Sequence, residues 1–454
     1  MERSIDHQLI SWMNKRSRKP LIVRGTRQVG KTYSIEEFGK NNFKTCHYLN
    51  FEEEEQLTSI FAKDLKPERI LKELEFYLDS SISVKEDILF FDEIQACPKA
   101  LNSLKYFREK RPDQAIVAAG SLLGVELSNV SFPVGKIEFL DMHPLSFVEF
   151  LNAVDDHSSY SFIKEFHKDS EIPEIAHKRL WQQMKNYMVV GGLPEAVNAW
   201  RDNQETPFAA FKAVRKVQKD LLTSYLADMA KHSGQQNSMH LERLWNNIPN
   251  QLAREQDGSA AKFKFKNVIP GVRGYERLAG SIDWLTKAGL INKVTMINSG
   301  NLPFSAYTKE NNFKLYCFDT GLLGALANLS PKTILGYDYG SYKGYFAENF
   351  AAQEFRCTDN LTLHYWRERT AEVEFIREVE GTVLPIEIKS GWVTQAKSIK
   401  VFAEKYNPPY RVILSGRDFR INHKNRVHFY PLYLAGTIPL PDKEAVKNQA
   451  VNRF

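Results

Sequence analysis

The sequence predicts an α/β protein of several domains: a parallel sheet carrying a phosphate-binding loop, a mostly helical stretch, a shorter mixed segment and a second α/β domain. Three observations predict it. Short apolar runs alternate with amphipathic stretches over the first 150 residues, helical patterns take over from about Leu151 to Ser233, and strand-like runs return after residue 360. With 454 residues, 43% of them hydrophobic, the chain is long enough for about two to four separately cored domains. The boundaries read as 1–150, 151–233, 234–330 and 331–454.

Taken in order, Leu21–Val23, Tyr48–Phe51, Ile88–Phe91 and Ala115–Ala119 are short runs without a polar face, as strands covered on both sides require. Between them, Ile70–Leu78 and Ala100–Lys110 repeat apolar residues at helical spacing, the latter through Leu101, Leu104 and Phe107. Val190-Gly191-Gly192-Leu193-Pro194 breaks the helical middle with a sharp turn. Ile291–Ile297 reads as a strand after short helices, an order compatible with a winged-helix unit. Leu361–Arg367, Val373–Arg377, Val383–Ile388 and Tyr410–Leu414 read as strands of the last domain.

Composition excludes several classes. The mean hydropathy is −0.41, and no apolar run approaches the roughly 20 residues of a membrane helix, so no membrane partner is expected. The opening residues Met1–Pro20 carry charges and Trp12 where a signal peptide would be apolar. Cys46, Cys97, Cys317 and Cys357 lie far apart with no CxxC pair, which suits free thiols in a reducing cytoplasm. The 11 histidines show no ligand spacing. The formal charge of +6 permits nucleic acid as a partner without demanding it.

Gly25-Thr26-Arg27-Gln28-Val29-Gly30-Lys31-Thr32 fits G-x-x-x-x-G-K-[ST] between a strand and a helical stretch. Such a match arises by chance in about 2% of chains of this length at average composition, and the strand–loop–helix setting makes an idle glycine turn a poor account of it. Glycines let successive N–H groups curl around phosphates at a helix N-terminus. Lys31 is placed to reach the β- and γ-phosphates of ATP, and Thr32 to hold Mg²⁺. Downstream, Ile88–Phe91 ends in Asp92-Glu93, putting two carboxylates at the same sheet edge. Asp92 would hold Mg²⁺ through water and Glu93 would orient or deprotonate the attacking water. Ser121, after the next strand, reads equally as a γ-phosphate sensor or as the turn ending a strand.

On these residues, and on Gly120-Ser121-Leu122-Leu123, His143–Phe147, Gly191–Ala196, Phe318–Leu322, Gly344–Asn349, Tyr365-Trp366-Arg367 and Pro385–Gly391, the chain resembles prokaryotic AAA-type ATPases. Those carry a C-terminal domain of unknown function related to restriction-endonuclease-like nucleases. The resemblance implies ATP binding and hydrolysis, a winged-helix-like middle and a nuclease-like α/β end, with a homo-oligomer as a candidate assembly. Two departures stand out: Glu374 where such domains carry Asp, and Lys136 near the place of an arginine. Lysine lacks the planar fork that an arginine offers phosphate.

Glu348, Glu374, Glu387 and Lys389 make a candidate nuclease set of the PD-(D/E)xK kind, with Glu374 and Glu387 as candidate metal ligands. Residues two apart on a strand share a face, so Glu387 and Lys389 would point the same way. Glu-x-Lys is expected about once by chance in such a chain, and a cross-strand ion pair leaves the same trace. Lys262-Phe263-Lys264-Phe265-Lys266 reads as a strand with a solvated lysine face or as a phosphate-contacting ribbon. Two readings therefore stand: an ATP-driven enzyme acting on DNA, or a nucleotide-switched scaffold with a silent nuclease-like domain that binds DNA or a protein.

Overall fold

Every residue of Asp87–Asp92 and Ala115–Gly120 is buried, which is the condition of a strand covered on both faces. The computed structural model describes residues 1–121, 123–126, 135–256, 263–266, 268–272, 274–336, 343–360, 362–389 and 396–441. Leu122, Lys262, Ser390 and Gly391 of the sequence motifs lie outside them. The contacts divide the chain into two compact units: Met1–His143 with Lys287–Gly289, and the remainder.

In the first unit β1 (Leu21–Arg24), β2 (Thr45–Asn50), β3 (Asp87–Asp92), β4 (Ala115–Gly120) and β5 (Glu138–Asp141) form one parallel sheet in the order β2-β3-β4-β1-β5. Helices Lys31–Asn42, Pro67–Leu78 and Pro98–Lys110 supply the crossovers, the last two with proline in their first turn, where its missing N–H costs nothing. Phe51, Phe61 and Phe91 meet edge to face, with centroids 5.5–5.9 Å apart, in an apolar core that also holds Leu49, Leu57 and Leu104. One feature of the order matters for chemistry. Strand β4 lies between β1, which leads into the glycine loop, and β3, which ends in the two acids.

The second unit begins with helices, among them Glu174–Val190, Pro194–Arg201 and Pro207–Ser233. They are followed by β6 (Ile291–Ile297), β7 (Thr308–Cys317), β8 (Leu363–Glu368), β9 (Ala371–Val379), β10 (Thr382–Ile388), β11 (Arg411–Ser415), β12 (Arg420–Asn422) and β13 (Val427–Pro431). These make one mixed sheet in the order β12-β13-β11-β10-β9-β8-β6-β7. The strand expected at Ile291–Ile297 forms the antiparallel hairpin β6–β7, and its second edge carries β8 in parallel. Segment 234–330 thus shares its sheet with the residues after 331.

The motif glycines of this unit make room for buried polar groups. Asp319 caps the helix Thr320–Leu326 and accepts from the Gly192 N–H at 2.6 Å. A Cβ on Gly191, whose φ is +77°, would lie 2.2 Å from Asp319 Oδ1. Gln353 then takes the Thr320 N–H at 2.8 Å and donates to the Tyr187 hydroxyl at 2.8 Å.

Lys262–Lys266 is not a strand over its described part. Phe263 stacks on Phe313 with centroids 5.8 Å apart, and Lys264 and Lys266 are exposed. The reason is a side chain in the place of a ladder: the Gln251 amide donates to the Lys264 carbonyl and accepts from its N–H, both at 3.1 Å. The inside–outside alternation survives with a backbone bond to β7, from the Phe263 N–H to the Phe313 carbonyl at 3.2 Å, but without a paired ladder over the described residues.

Candidate functional sites

The glycine loop leaves β1 at Gly25, where a Cβ would stand 2.2 Å from the Met142 carbonyl oxygen, so no larger residue fits. Gln28 (φ +64°) and Gly30 (φ +96°) are left-handed and curl the chain around to the helix start at Lys31. Val29 is buried, and its carbonyl accepts from Arg3 Nη1 at 3.1 Å, while Arg3 Nη2 donates to the His143 carbonyl at 2.8 Å. Arg3 therefore pins the loop from below. Thr26 is buried, and Arg27 and Gln28 stand nearer the surface.

Lys31 Nζ donates to the Gly25 and Thr26 carbonyls, both at 3.0 Å. Burial pushes its ammonium down to about 8, against the pull of Glu93 and Asp92 and with the push of Arg27. Thr32 Oγ1 donates to Asp92 Oδ2 at 2.7 Å. The same oxygen takes the Tyr48 hydroxyl at 3.2 Å, and Asn50 Nδ2 donates to that hydroxyl at 3.1 Å. Asp92 Oδ1 accepts the Glu93 N–H at 3.0 Å. Burial raises Asp92 above the usual carboxylate range, with Glu93 adding to the rise and the hydrogen bonds from Thr32 and Tyr48 opposing it. Burial raises the Tyr48 hydroxyl to about 12, so it stays a donor.

Glu93 has φ +46°, a left-handed conformation that a non-glycine residue holds only at a cost of about 1 kcal/mol or more. Its Oε2 accepts from Gln95 Nε2 at 2.5 Å and from Ser121 Oγ at 3.2 Å. The strand order explains the second contact, because β4 ends beside β3. Thr32, Asp92, Glu93 and Ser121 are thus linked by hydrogen bonds, and Lys31 is near enough to Glu93 and Asp92 to feel their charge. Lys136 instead pairs with Glu109 at 3.2 Å.

Residues 17–151 match the family described as an AAA domain. With the loop and the five-stranded parallel sheet above, this region is an AAA-type P-loop nucleotide-binding domain. Residues 182–333 and 343–435 match two domains of unknown function, DUF8612 and DUF4143. No curated protein matches the chain. Among solved structures, the chain is similar to the Walker-type ATPase PABY2304 of Pyrococcus abyssi at 16% identity and TM-score 0.43, over 72% of this chain and 95% of that one. It is also similar to the Aeropyrum pernix ORC1 protein in complex with DNA, at 12% identity and TM-score 0.31 over 71% and 90%. For AMPPCP-bound DnaA from Aquifex aeolicus the values are 12% and 0.29 over 62% and 86%.

Two residues around the AAA-domain site carried no motif signal: Arg3 and Tyr48. Gln95 closes the Leu89–Gln95 run on which the resemblance rests, without a role assigned to it there. Tyr48 lies inside a strand-like run, and Arg3 lies far upstream of every motif.

The C-terminal acids occupy the second unit. Glu387 lies on β10, Lys389 one residue beyond its end, and their side chains meet at 2.5 Å. Glu374 on β9 accepts the Ile388 N–H at 3.3 Å. Glu348, on the helix Lys343–Asp359, accepts the Tyr316 hydroxyl at 2.5 Å. Burial raises the Glu374 carboxyl well above its ordinary range, with Glu387 and Glu348 adding to it and Lys389 and Lys314 opposing it. Burial alone would lower Lys389, but Glu374, Glu387 and Glu348 outweigh it and raise the ammonium. All four sequence-nominated residues therefore feel one another.

A fifth residue was not foreseen. Lys314 on β7 is 5% exposed, 2.8 Å from Glu372 and 3.4 Å from Glu348. Arg367 closes the group, 3.1 Å from the other Glu372 oxygen. Glu387 Oε2 is buried without a hydrogen-bond partner. Among the described residues, no group of three or more His, Cys, Asp or Glu side chains is arranged to hold a metal ion. No described helix is long and apolar enough to cross a membrane, and the four cysteines are free thiols.

Proposed function

We propose that the protein is a Mg²⁺-dependent ATPase whose N-terminal domain binds and hydrolyses ATP. The observation that carries this reading is the 2.7 Å contact between Thr32 Oγ1 and Asp92 Oδ2. It joins the hydroxyl that ends the glycine loop to the acid that ends β3, two hard oxygen donors of the kind that Mg²⁺ prefers. Mg²⁺ bound there neutralises charge on the β- and γ-phosphate oxygens. The loop N–H groups and Lys31 hold the phosphates, Lys31 exchanging two carbonyl partners for phosphate oxygens. Asp92 and Tyr48 fix the Thr32 hydroxyl. Glu93 takes the proton of the attacking water, and Ser121 steadies the Glu93 carboxylate. Calorimetric titration with MgATP, alongside a turnover assay, tests the reading; no heat of binding and no phosphate release would end it.

For the second unit the reading we favour is a nuclease-like domain that is catalytically silent and serves as a scaffold. Lys314 supports it. Burial holds the Glu374 carboxyl well above its ordinary range, and Glu348, Glu372 and Glu387 face Lys314, Lys389 and Arg367, so the acids of the cluster already have cations from the protein beside them. Incubation with supercoiled plasmid and Mg²⁺ or Mn²⁺ is expected to leave the DNA intact. Nicking that disappears in Lys389→Ala would replace this reading with the DNA-cutting one. DNA association, motivated by the +6 charge and the exposed Lys264 and Lys266, is tested at low salt, where phosphate contacts are strongest. Light scattering with and without ATP tests for a homo-oligomer.

A further inference from the structure

Gln95 lies in the short 3-10 turn Ile94–Ala96 that follows β3. Its Nε2 donates to Glu93 Oε2, and Ser121 donates to the same oxygen. Two donors on one oxygen leave Glu93 Oε1 as the end of the carboxylate that faces no protein donor among the described residues. At the other end of the amide, Gln95 Oε1 is buried and has no hydrogen-bond partner among the described residues. A buried acceptor left unmade is costly and calls for an occupant.

The space for that amide is made by Gly120 at the tip of β4. A Cβ there would stand 2.3 Å from Gln95 Oε1. The left-handed backbone at Glu93 turns its carboxylate toward this same corner. The result is a pair of acceptors, Glu93 Oε1 and Gln95 Oε1, locked together by the bond at their other ends. A water molecule has two protons to give, and this pair offers two places for them.

Resting on the ATPase reading above, we propose that Gln95 is a positioning residue that orients the attacking water for Glu93, and that Gly120 is small to admit it. In the step, the water oxygen forms a bond to the γ-phosphorus while the bond from that phosphorus to the β,γ-bridging oxygen breaks. The electron pair leaves with ADP, and the water proton passes to Glu93 Oε1. Gln95 Oε1 holds the proton that is not transferred. A fixed amide of this kind gives orientation, and misplacing a reacting atom by about 1 Å costs on the order of 100-fold in rate.

The test uses the full chain and measures MgATP affinity and turnover together. Gln95→Ala is expected to lower kcat by about 10- to 100-fold with affinity changed less than about twofold. Gly120→Ala is expected to do the same, because its methyl group displaces the amide while leaving Gln95 present. Gln95→Glu sets a second carboxylate against Glu93 and is expected to move the acid limb of the pH–rate profile upward by about one unit, which checks that Glu93 is the group titrating in turnover; the split between kcat and affinity is the readout that a purely structural role would not produce. Wild-type kcat in Gln95→Ala and Gly120→Ala, with ATP bound and hydrolysed, overturns the inference and spares the ATPase reading. Absence of ATP binding in the unaltered protein overturns the ATPase reading itself. If Gln95→Ala does not fold by circular dichroism, Gly120→Ala and Gln95→Glu decide.

Discussion

Lys31 and Lys314 are both buried lysines in acidic surroundings, yet they are held in opposite ways. Lys31 touches only backbone carbonyls, and burial drives its ammonium down to about 8. Lys314 is clasped by Glu372 and Glu348, and its neighbour Lys389 is raised by the carboxylates around it. A buried cation bonded to neutral groups is prepared for an anion that the protein does not supply. One that already has its carboxylates is a closed structure. The first unit's lysine is thus held by neutral carbonyls and the second unit's by carboxylates, although Glu387 Oε2 of that second cluster has no hydrogen-bond partner among the described residues.

The widest gap between the two lysines should appear in function. Lys31→Ala is expected to cut ATP turnover by about 100- to 1000-fold, the scale of losing one preorganised electrostatic group, while the melting temperature holds or rises. Phosphate-release kinetics and a thermal melt check both halves. Unchanged turnover would leave the loop without a role. Lys314→Met should do the reverse: it removes a cation from a buried pair and leaves carboxylates uncompensated, a loss of about 3 kcal/mol, with ATP turnover per folded molecule unchanged. Lys314→Arg keeps the charge and should recover most of the stability. A Lys314→Met protein as stable as the parent would show the cluster to be less closed than its distances suggest.

Much of this contrast was legible in the chain, but unevenly. Strands β1, β3 and β4 could be located from apolar runs because both of their faces are buried, whereas the edge strand β2 has an exposed start and runs Thr45–Asn50 rather than Tyr48–Phe51; Lys31, Thr32, Asp92 and Glu93 follow from fixed spacing along one strand–loop–helix. Glu387 and Lys389 share a face through the two-residue repeat alone. Lys314 was invisible for a physical reason: its partners Glu348 and Glu372 come from other elements, a helix and β9, and no spacing along the chain reports their meeting with β7. Gln95 closes the Leu89–Gln95 run and Tyr48 lies in a strand, but what each contacts depends on the packing of β2 and β4 against β3. The Lys262–Lys266 alternation misled because period two reports which side chains face inward, not whether a partner strand exists.

Glu354 is a third kind of buried ionisable group, with no ion-pair partner among the described residues. It is 1% exposed and accepts the Phe147 N–H at 2.8 Å, and burial raises its carboxyl to about 8 with Glu149 adding to the rise. Its folded value lies above the unfolded value of 4.5, so the folded state binds the extra proton between these limits. Stability is then greatest below about pH 4.5 for this group and falls as pH climbs toward 8. Glu354→Gln keeps an oxygen for Phe147 and carries no charge, so it should stabilise the protein at pH 8 by about 2 kcal/mol and flatten the slope. Equal denaturation midpoints for the two proteins at pH 8 would remove Glu354 as the source.

The smallest effect separates the lysines most directly, because it reads Lys31 as a proton carrier. Its ammonium is charged below about pH 8 and neutral above, and a polyphosphate prefers the charged form. Binding therefore raises the pKa of Lys31 and takes up a proton wherever the free protein has lost one. MgATP affinity should be flat from pH 6.5 to 7.5 and then fall about tenfold for each pH unit above 8, levelling off where the bound-state ammonium itself titrates. Lys31→Arg, charged throughout, should give a flat profile even if its turnover is poor. Calorimetry near pH 8.5 in two buffers of different ionisation enthalpy should show proton uptake by the parent protein and none by the arginine variant. A parent profile as flat as the arginine one would mean that the ammonium keeps its ordinary basicity inside the loop, and the distinction between the two lysines would shrink to their hydrogen-bond partners.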